Sequence, residues 1–261
     1  MSQGAGDRGI ADEKRVGFLV GGVQKSGTTA LFDYLAEVPA LELPKIKEAH
    51  FFDDEERVDW QAPDYAPYHS LFADRSRLWG EATPIYLYWP NALERIRAYN
   101  PAMKLIFIFR DPVERAWSHW KMEYARGKET EPFAWCIRDG RARMASGHPY
   151  PGFHRVHSYV ERGFYGRQLA RVLHLFPQEQ VLLLASTALD RDPNAVIRVV
   201  CDFLEVPMAT KPLSRRRSRP AANIDYKSTL AEDDVLLLRR CFREEMERFA
   251  QIAPDLPNWM I

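Results

Sequence analysis

The sequence predicts an α/β fold: a single domain with a central parallel β-sheet flanked by helices. Two observations carry this. Short continuous apolar runs at Val16–Gly21, Lys104–Phe109 and Gln180–Ala185 read as strands buried on both faces. Each precedes a segment with helical spacing, Thr28–Glu37, Val113–Arg126 and Asp192–Leu204 respectively. Strands alternating with amphipathic helices make a parallel sheet covered on both sides. A chain of 261 residues is long enough to bury one large core of this kind.

Residues 1–14 are polar and lack the apolar centre of a signal peptide, so they are expected to form a flexible tail, with residues 15–261 as the domain. The first strand runs into a glycine-rich turn, and the helix after it places Leu31, Tyr34 and Leu35 on one face. Pro112 suits the first turn of the second helix, which carries Trp117, Trp120 and Tyr124. Asp192-Pro193 opens the third, with Val196, Val199, Val200 and Phe203 as its expected core face. A last long helix spans roughly Glu232 to Ile252. The irregular stretches Pro39–Leu78 and Ala145–Arg155 are rich in Pro, Tyr, His and Asp, and belong at the strand ends where α/β proteins bind ligands.

Composition narrows the function. Apolar residues at 46% and charged residues at 28% exclude disordered, collagen-like and coiled-coil classes. Thirty-six basic side chains balance 36 acidic ones, which argues against a chain-wide nucleic-acid partner or membrane-surface role, and no apolar run approaches a membrane span. Cys136, Cys201 and Cys241 are widely spaced with no CxxC, so neither a disulfide framework nor a zinc site is indicated. A cytoplasmic enzyme is the expectation.

The segment Gly21–Thr29 is the most informative. A strand feeding a glycine-rich turn and a helix N-terminus gathers backbone N–H groups where the helix dipole favours an anion. Gly22 and Gly27 have the spacing that starts a Walker A loop, but Thr28 stands where its lysine belongs, and Lys25 lies two residues ahead of Gly27. The second strand ends in Arg110, a cation where a metal-binding acid would be sought. Such a loop holds phosphates without a metal, or is merely a tight βα turn. Lys47, Glu48 and His50 lack the i, i+4 histidine pair of a helix-borne zinc site.

Gln24-Lys25-Ser26-Gly27-Thr28-Thr29-Ala30-Leu31 resembles the 5′-phosphosulfate loop of sulfotransferases that use 3′-phosphoadenosine 5′-phosphosulfate (PAPS). The resemblance is to the heparan sulfate N- and 3-O-sulfotransferase branch and its bacterial relatives. Lys47–Asp53 and Glu81–Tyr86 are similar to that branch's next two motifs, and Arg110–Ser118 to its 3′-phosphate motif. Arg162–Tyr165 and the Asp192–Leu204 helix resemble later segments, so the likeness runs from about Val16 to Trp259.

The resemblance implies a P-loop-like sulfotransferase fold and a metal-free transfer of a sulfuryl group from PAPS to a small-molecule or sugar acceptor. It implies that Lys25 stabilises the leaving phosphate, and that Ser26, Gly27, Thr28 and Thr29 hold the 5′-phosphosulfate. Arg110 and Ser118 would hold the 3′-phosphate, Glu48 would be the general base and His50 would tune it. Asp53, Glu81 and Tyr86 would lie on the acceptor side, although Glu81 also reads as the end of a buried strand. Arg215, Arg216, Arg217 and Arg219 supply the cations of the loop that closes over the donor, without indicating which one reaches it.

Two departures bear on the acceptor. Ala82 replaces the family's glycan-reading lysine, and Asp53–Glu56 is a run of four carboxylates. Both point to a neutral or cationic acceptor unless the run faces solvent. Trp60, Tyr65, Tyr68, Phe72, Tyr86, Tyr88 and Trp89 fall in the acceptor region and would stack a ring-bearing acceptor if they faced the cleft. A metal-dependent P-loop kinase and a non-catalytic nucleotide-binding module are the rival readings. The first needs a differently placed lysine, and the second gives no reason for Lys25, Glu48, Arg110 and Ser118 to occur together.

Overall fold

Five strands pair in the computed structural model, which describes residues 14–145, 154–208, 224–257 and 259. They are β1 (Phe18–Gly22), β2 (Leu41–Glu42), β3 (Leu78–Ala82), β4 (Lys104–Phe109) and β5 (Val181–Ala185). Every neighbouring pair is parallel, in the order β2-β3-β1-β4-β5. The chain therefore builds outward from β1 in both directions. That reversal opens a crevice at the carboxyl ends of β1, β3 and β4, where open α/β sheets bind ligands. The segments Gln24–Thr29, Thr83–Tyr86 and Arg110–Ser118 all leave the sheet at these ends.

The apolar runs expected to be strands are β1, β4 and β5. The other two strands lie at the ends of the stretch read as irregular. In β3 the apolar pattern is broken by Gly80 and Glu81, both buried. A Cβ on Gly80 would lie 2.1 Å from the ring of Phe18, its partner across the β1–β3 ladder. The residue that hides the strand in the sequence is thus the one that lets its neighbour's ring cover it.

Alternation along the strands sends side chains into two cores. Phe18, Val20, Ile106 and Ile108 pack with the helices Thr28–Leu35 and Pro193–Leu204. Leu19, Leu105, Phe107 and Phe109 pack on the opposite face with Ala92–Tyr99, Pro112–Ala125, Tyr165–Leu175 and Glu232–Ile252. The buried stripe of Pro193–Leu204 is Val196, Ile197, Val200, Cys201 and Leu204. Val199, expected in the core, falls off this i, i+3, i+4 stripe and is 48% exposed. Phe203 is only partly buried against the core.

The expected tail, apart from Lys14, and the loop bearing Arg215, Arg216, Arg217 and Arg219 lie outside the described residues. Among those described, no helix is long and apolar enough to cross a membrane, and all three cysteines are free.

Candidate active site

The phosphate loop is fixed from below by β4: the Val23 amide donates to the Ile108 carbonyl at 3.0 Å, and the Ser26 amide closes a turn onto the Val23 carbonyl at 3.2 Å. Lys25 and Gly27 take left-handed conformations, with φ of 73° and 96°. The second is tolerated because Gly27 has no Cβ. The helix from Thr28 begins without a side-chain cap. Beside it Ser26 Oγ is buried and meets no partner at full hydrogen-bond geometry among the described residues, although it adjoins the Tyr165 hydroxyl, which donates to the Arg110 carbonyl at 3.0 Å. A buried hydroxyl next to uncapped helix amides is the arrangement an anion's oxygens would satisfy, so the loop fits a phosphosulfate group.

Lys25 is half-buried in this loop. Burial lowers its pKa, Arg126 and Arg110 lower it further, and Glu123 and Glu48 pull it back up. Its ammonium therefore lies within electrostatic range of both the loop after β4 and the Glu48 segment.

Glu48 and His50 belong to a segment lying across the end of β3. Both have positive φ, 66° and 51°. Each non-glycine residue in this region costs about 1 kcal/mol, and such conformations persist only where the surroundings over-determine them. Here they do. The Glu48 amide donates to the Ala82 carbonyl at 3.1 Å and the His50 amide to Thr83 Oγ1 at 3.4 Å. The Phe51 and Phe52 amides both donate to the Tyr86 hydroxyl, at 3.2 and 3.4 Å.

The Glu48 carboxylate pairs with Lys47 at 2.5 Å and faces His50 Nε2 at 3.5 Å. On its other edge the imidazole meets Asp53 through Nδ1 at 2.9 Å. Burial alone would raise the pKa of Glu48, but the His50 contact and the Lys47 charge overcome it and hold the group down at about 2. Burial likewise works against a charged His50, yet Asp53 and Glu48 lift it to about 9. Glu48, His50 and Asp53 form a row with the imidazole in the middle.

Asp53, Glu81 and Tyr86, expected on the acceptor side, are all fully buried. Burial pushes Glu81 up to about 7, against hydrogen bonds from Thr83 and Tyr86. Thr83 Oγ1 donates to it at 2.7 Å while receiving the His50 amide. Glu81, through Thr83, and Tyr86 thus hold the Glu48–Phe52 segment from behind. Arg110 is bound to Glu114 at 2.7 Å, and Ser118 lies half-buried on the Pro112–Ala125 helix, whose start Asp111 caps through the Val113 amide at 2.7 Å.

A cleft of about 470 Å³ opens between Gln24 of the phosphate loop, Glu48 and His50, the 54–57 run, and Glu123, Arg126 and Arg155. None of the aromatic residues expected around the acceptor lines it. Tyr68, Phe72, Tyr86 and Trp89 are core, and Trp60, Tyr65 and Tyr88 pack against that core. The carboxylate run does reach the cleft wall, but Asp54 is paired with Arg57 at 2.7 Å and Glu55 with Arg95 at 2.6 Å. Arg155 and Glu123 join the site although no sequence motif singles them out, and Arg162 joins it from the Arg162–Tyr165 segment, to which the resemblance assigned no role. Among the described residues no cluster of His, Cys, Asp and Glu converges as around a metal ion.

A phosphate-type loop and a carboxylate thus share one cleft at the carboxyl ends of a parallel sheet. Residues 17–221 match the sulfotransferase domain model, and the chain belongs to that family. It is similar to heparan sulfate glucosamine 3-O-sulfotransferase 6 of Homo sapiens, 32% identical over 190 residues, which cover 71% of this chain and 51% of that protein. It is 27% identical over 262 residues to heparan sulfate glucosamine 3-O-sulfotransferase 5 of Mus musculus, covering 92% of this chain and 73% of the relative. The membrane-associated sulfotransferase kil1 of Dictyostelium discoideum is 35% identical over 119 residues, 44% of this chain and 25% of that protein. The chain thus spans about a quarter of the Dictyostelium protein and half of the human one. The solved structure of a sulfotransferase from Alicyclobacillus acidocaldarius superposes with a TM-score of 0.77 at 27% identity, over 95% of this chain and 100% of the other.

Proposed function

We propose that residues 15–261 form one catalytic unit moving a sulfuryl group from PAPS to a hydroxyl or amine of a small-molecule, glycolipid or sugar acceptor by in-line displacement. The observation that carries this reading is that Gln24 of the phosphate loop and Glu48 line the same cleft, with Lys25 in electrostatic range of Glu48. When bound, the donor supplies an activated sulfuryl group attached to a phosphate leaving group. Ser26, Gly27, Thr28 and Thr29 grip it through the buried Ser26 hydroxyl and the uncapped amides. Arg110, released from Glu114, and Ser118 take the 3′-phosphate. Glu48 accepts the acceptor's proton as the new S–O or S–N bond forms, and His50 shares the charge change on the carboxylate. Lys25 neutralises the charge left on the phosphate as the old S–O bond breaks.

The acceptor side favours a neutral, polar molecule. Lys47, Arg57, Arg95 and Arg126 pair with Glu48, Asp54, Glu55 and Glu123 around the cleft, which leaves Glu56 and Lys128 of the lining, one charge of each sign, outside these pairs. Ala82 is fully buried and presents nothing to a polyanion. A cytoplasmic location belongs to the same reading, supported by the free cysteines.

Thermal unfolding tests the donor. 3′-Phosphoadenosine 5′-phosphate should raise the melting temperature and AMP much less, because a ligand that binds only the native state shifts unfolding by mass action. Equal shifts with the two nucleotides, or a shift seen only with ATP and Mg²⁺, would contradict the assignment.

A further inference from the structure

Arg155 lies 102 positions from Asp53 in the chain and meets it twice. Its Nη1 donates to Asp53 Oδ2 at 2.5 Å and its Nη2 to the Asp53 carbonyl at 2.8 Å. The other carboxylate contacts of Asp53 are to His50 Nδ1, at 2.9 and 3.2 Å. The guanidinium carbon lies over the Trp89 ring, 4.2 Å from its centroid, which adds a cation–π attraction. Its backbone is held as well: Arg162 Nη2 donates to the Arg155 carbonyl at 2.9 Å and to the His154 carbonyl at 3.2 Å, while Nη1 of the same arginine reaches Gln24 Oε1 in the phosphate loop.

A buried carboxylate with only a histidine partner could swing or take up a proton, and the imidazole would then lose the contact that sets its orientation. A two-point guanidinium grip on both the carboxylate and the carbonyl of Asp53 removes that freedom. We propose that Arg155 is a positioning residue of the base: it fixes Asp53, Asp53 fixes the His50 ring, and the ring holds Glu48 toward the cleft. This rests on Glu48 being the base, as proposed above. Arg155 also lines the cleft, so direct binding of the acceptor is the rival role, and the two leave different kinetic marks.

The test is a double-substitution cycle on the full chain, using PAPS and one acceptor that the wild type sulfates. Arg155→Met should lower kcat about tenfold to a hundredfold while leaving the acceptor KM and the stabilisation by 3′-phosphoadenosine 5′-phosphate within about threefold. Arg155→Lys, which restores a charge but only one contact, should recover part of the loss and covers the case in which the methionine variant does not fold. In an Asp53→Asn background, Arg155→Met should cost less than about threefold more. Independent, multiplicative losses in the double variant would overturn the proposal, as would no recovery with lysine. A raised KM at unchanged kcat would make Arg155 an acceptor-binding residue instead. These outcomes are separate from the fate of Glu48: if Glu48→Gln keeps its turnover, the reading of the base fails whatever Arg155 does.

Discussion

His50 stands between the side chains of Glu48 and Asp53, and a pH profile tests its role. Its pKa is raised from an ordinary 6.5 to about 9 and that of Glu48 is lowered from 4.5 to about 2. Both groups therefore keep one charge state from about pH 5 to 8. The stabilising contribution of a histidine with a raised pKa is complete below its unfolded value and fades as pH rises through its folded one. For His50 that fading begins above 6.5 and is finished past 9. The profile of kcat/KM should accordingly be flat across neutral pH and fall near 9, and His50→Gln should remove the alkaline fall while lowering the plateau. An unchanged alkaline limb in that variant would show that another group produces it.

The Glu48–His50 segment takes its strained shape from the element beneath it, β3, whose Glu81 is fully buried. Burial lifts its folded pKa to about 7 from 4.5. A carboxyl with a raised pKa stabilises the fold below its unfolded value and loses that contribution as pH climbs through the folded one. The window is therefore about pH 4.5 to 7, and the full change amounts to about 3 kcal/mol. Denaturant unfolding should show stability declining across this window, and Glu81→Gln should flatten the decline. A wild-type curve that rises from pH 5 to 7 and is unaffected by the substitution would contradict this placement. The same strand marks a limit of sequence reading. β1, β4 and β5 are unbroken apolar runs and can be read directly, whereas β3 carries the glycine that Phe18 covers and an acid that burial would normally forbid. The phosphate loop is legible because its parts are contiguous. The grip of Arg155 on Asp53 joins residues 102 apart, and only the folded chain brings them together.

Across the whole molecule, net charge is zero, and most of the charged side chains at the cleft are paired with one another. A polysulfated acceptor would need a surplus of cations, and its reaction would slow steeply as salt rises. The arrangement around Glu48 instead predicts modest salt dependence and competition by neutral hydroxylated acceptors rather than by a heparan oligosaccharide. Efficient sulfation of heparan with a steep salt slope would overturn that. Sulfuryl transfer with Glu48 as base is tested most directly by the transfer of labelled sulfate from PAPS to a panel of hydroxylated acceptors by the wild-type chain and by Glu48→Gln. Label should pass to at least one acceptor with wild type. With Glu48→Gln the rate should drop by about 10²–10⁴-fold, the range for a positioned acid–base group, while stabilisation by 3′-phosphoadenosine 5′-phosphate stays intact. Near-normal transfer by Glu48→Gln, or transfer of phosphate from ATP in place of sulfate from PAPS, would contradict it.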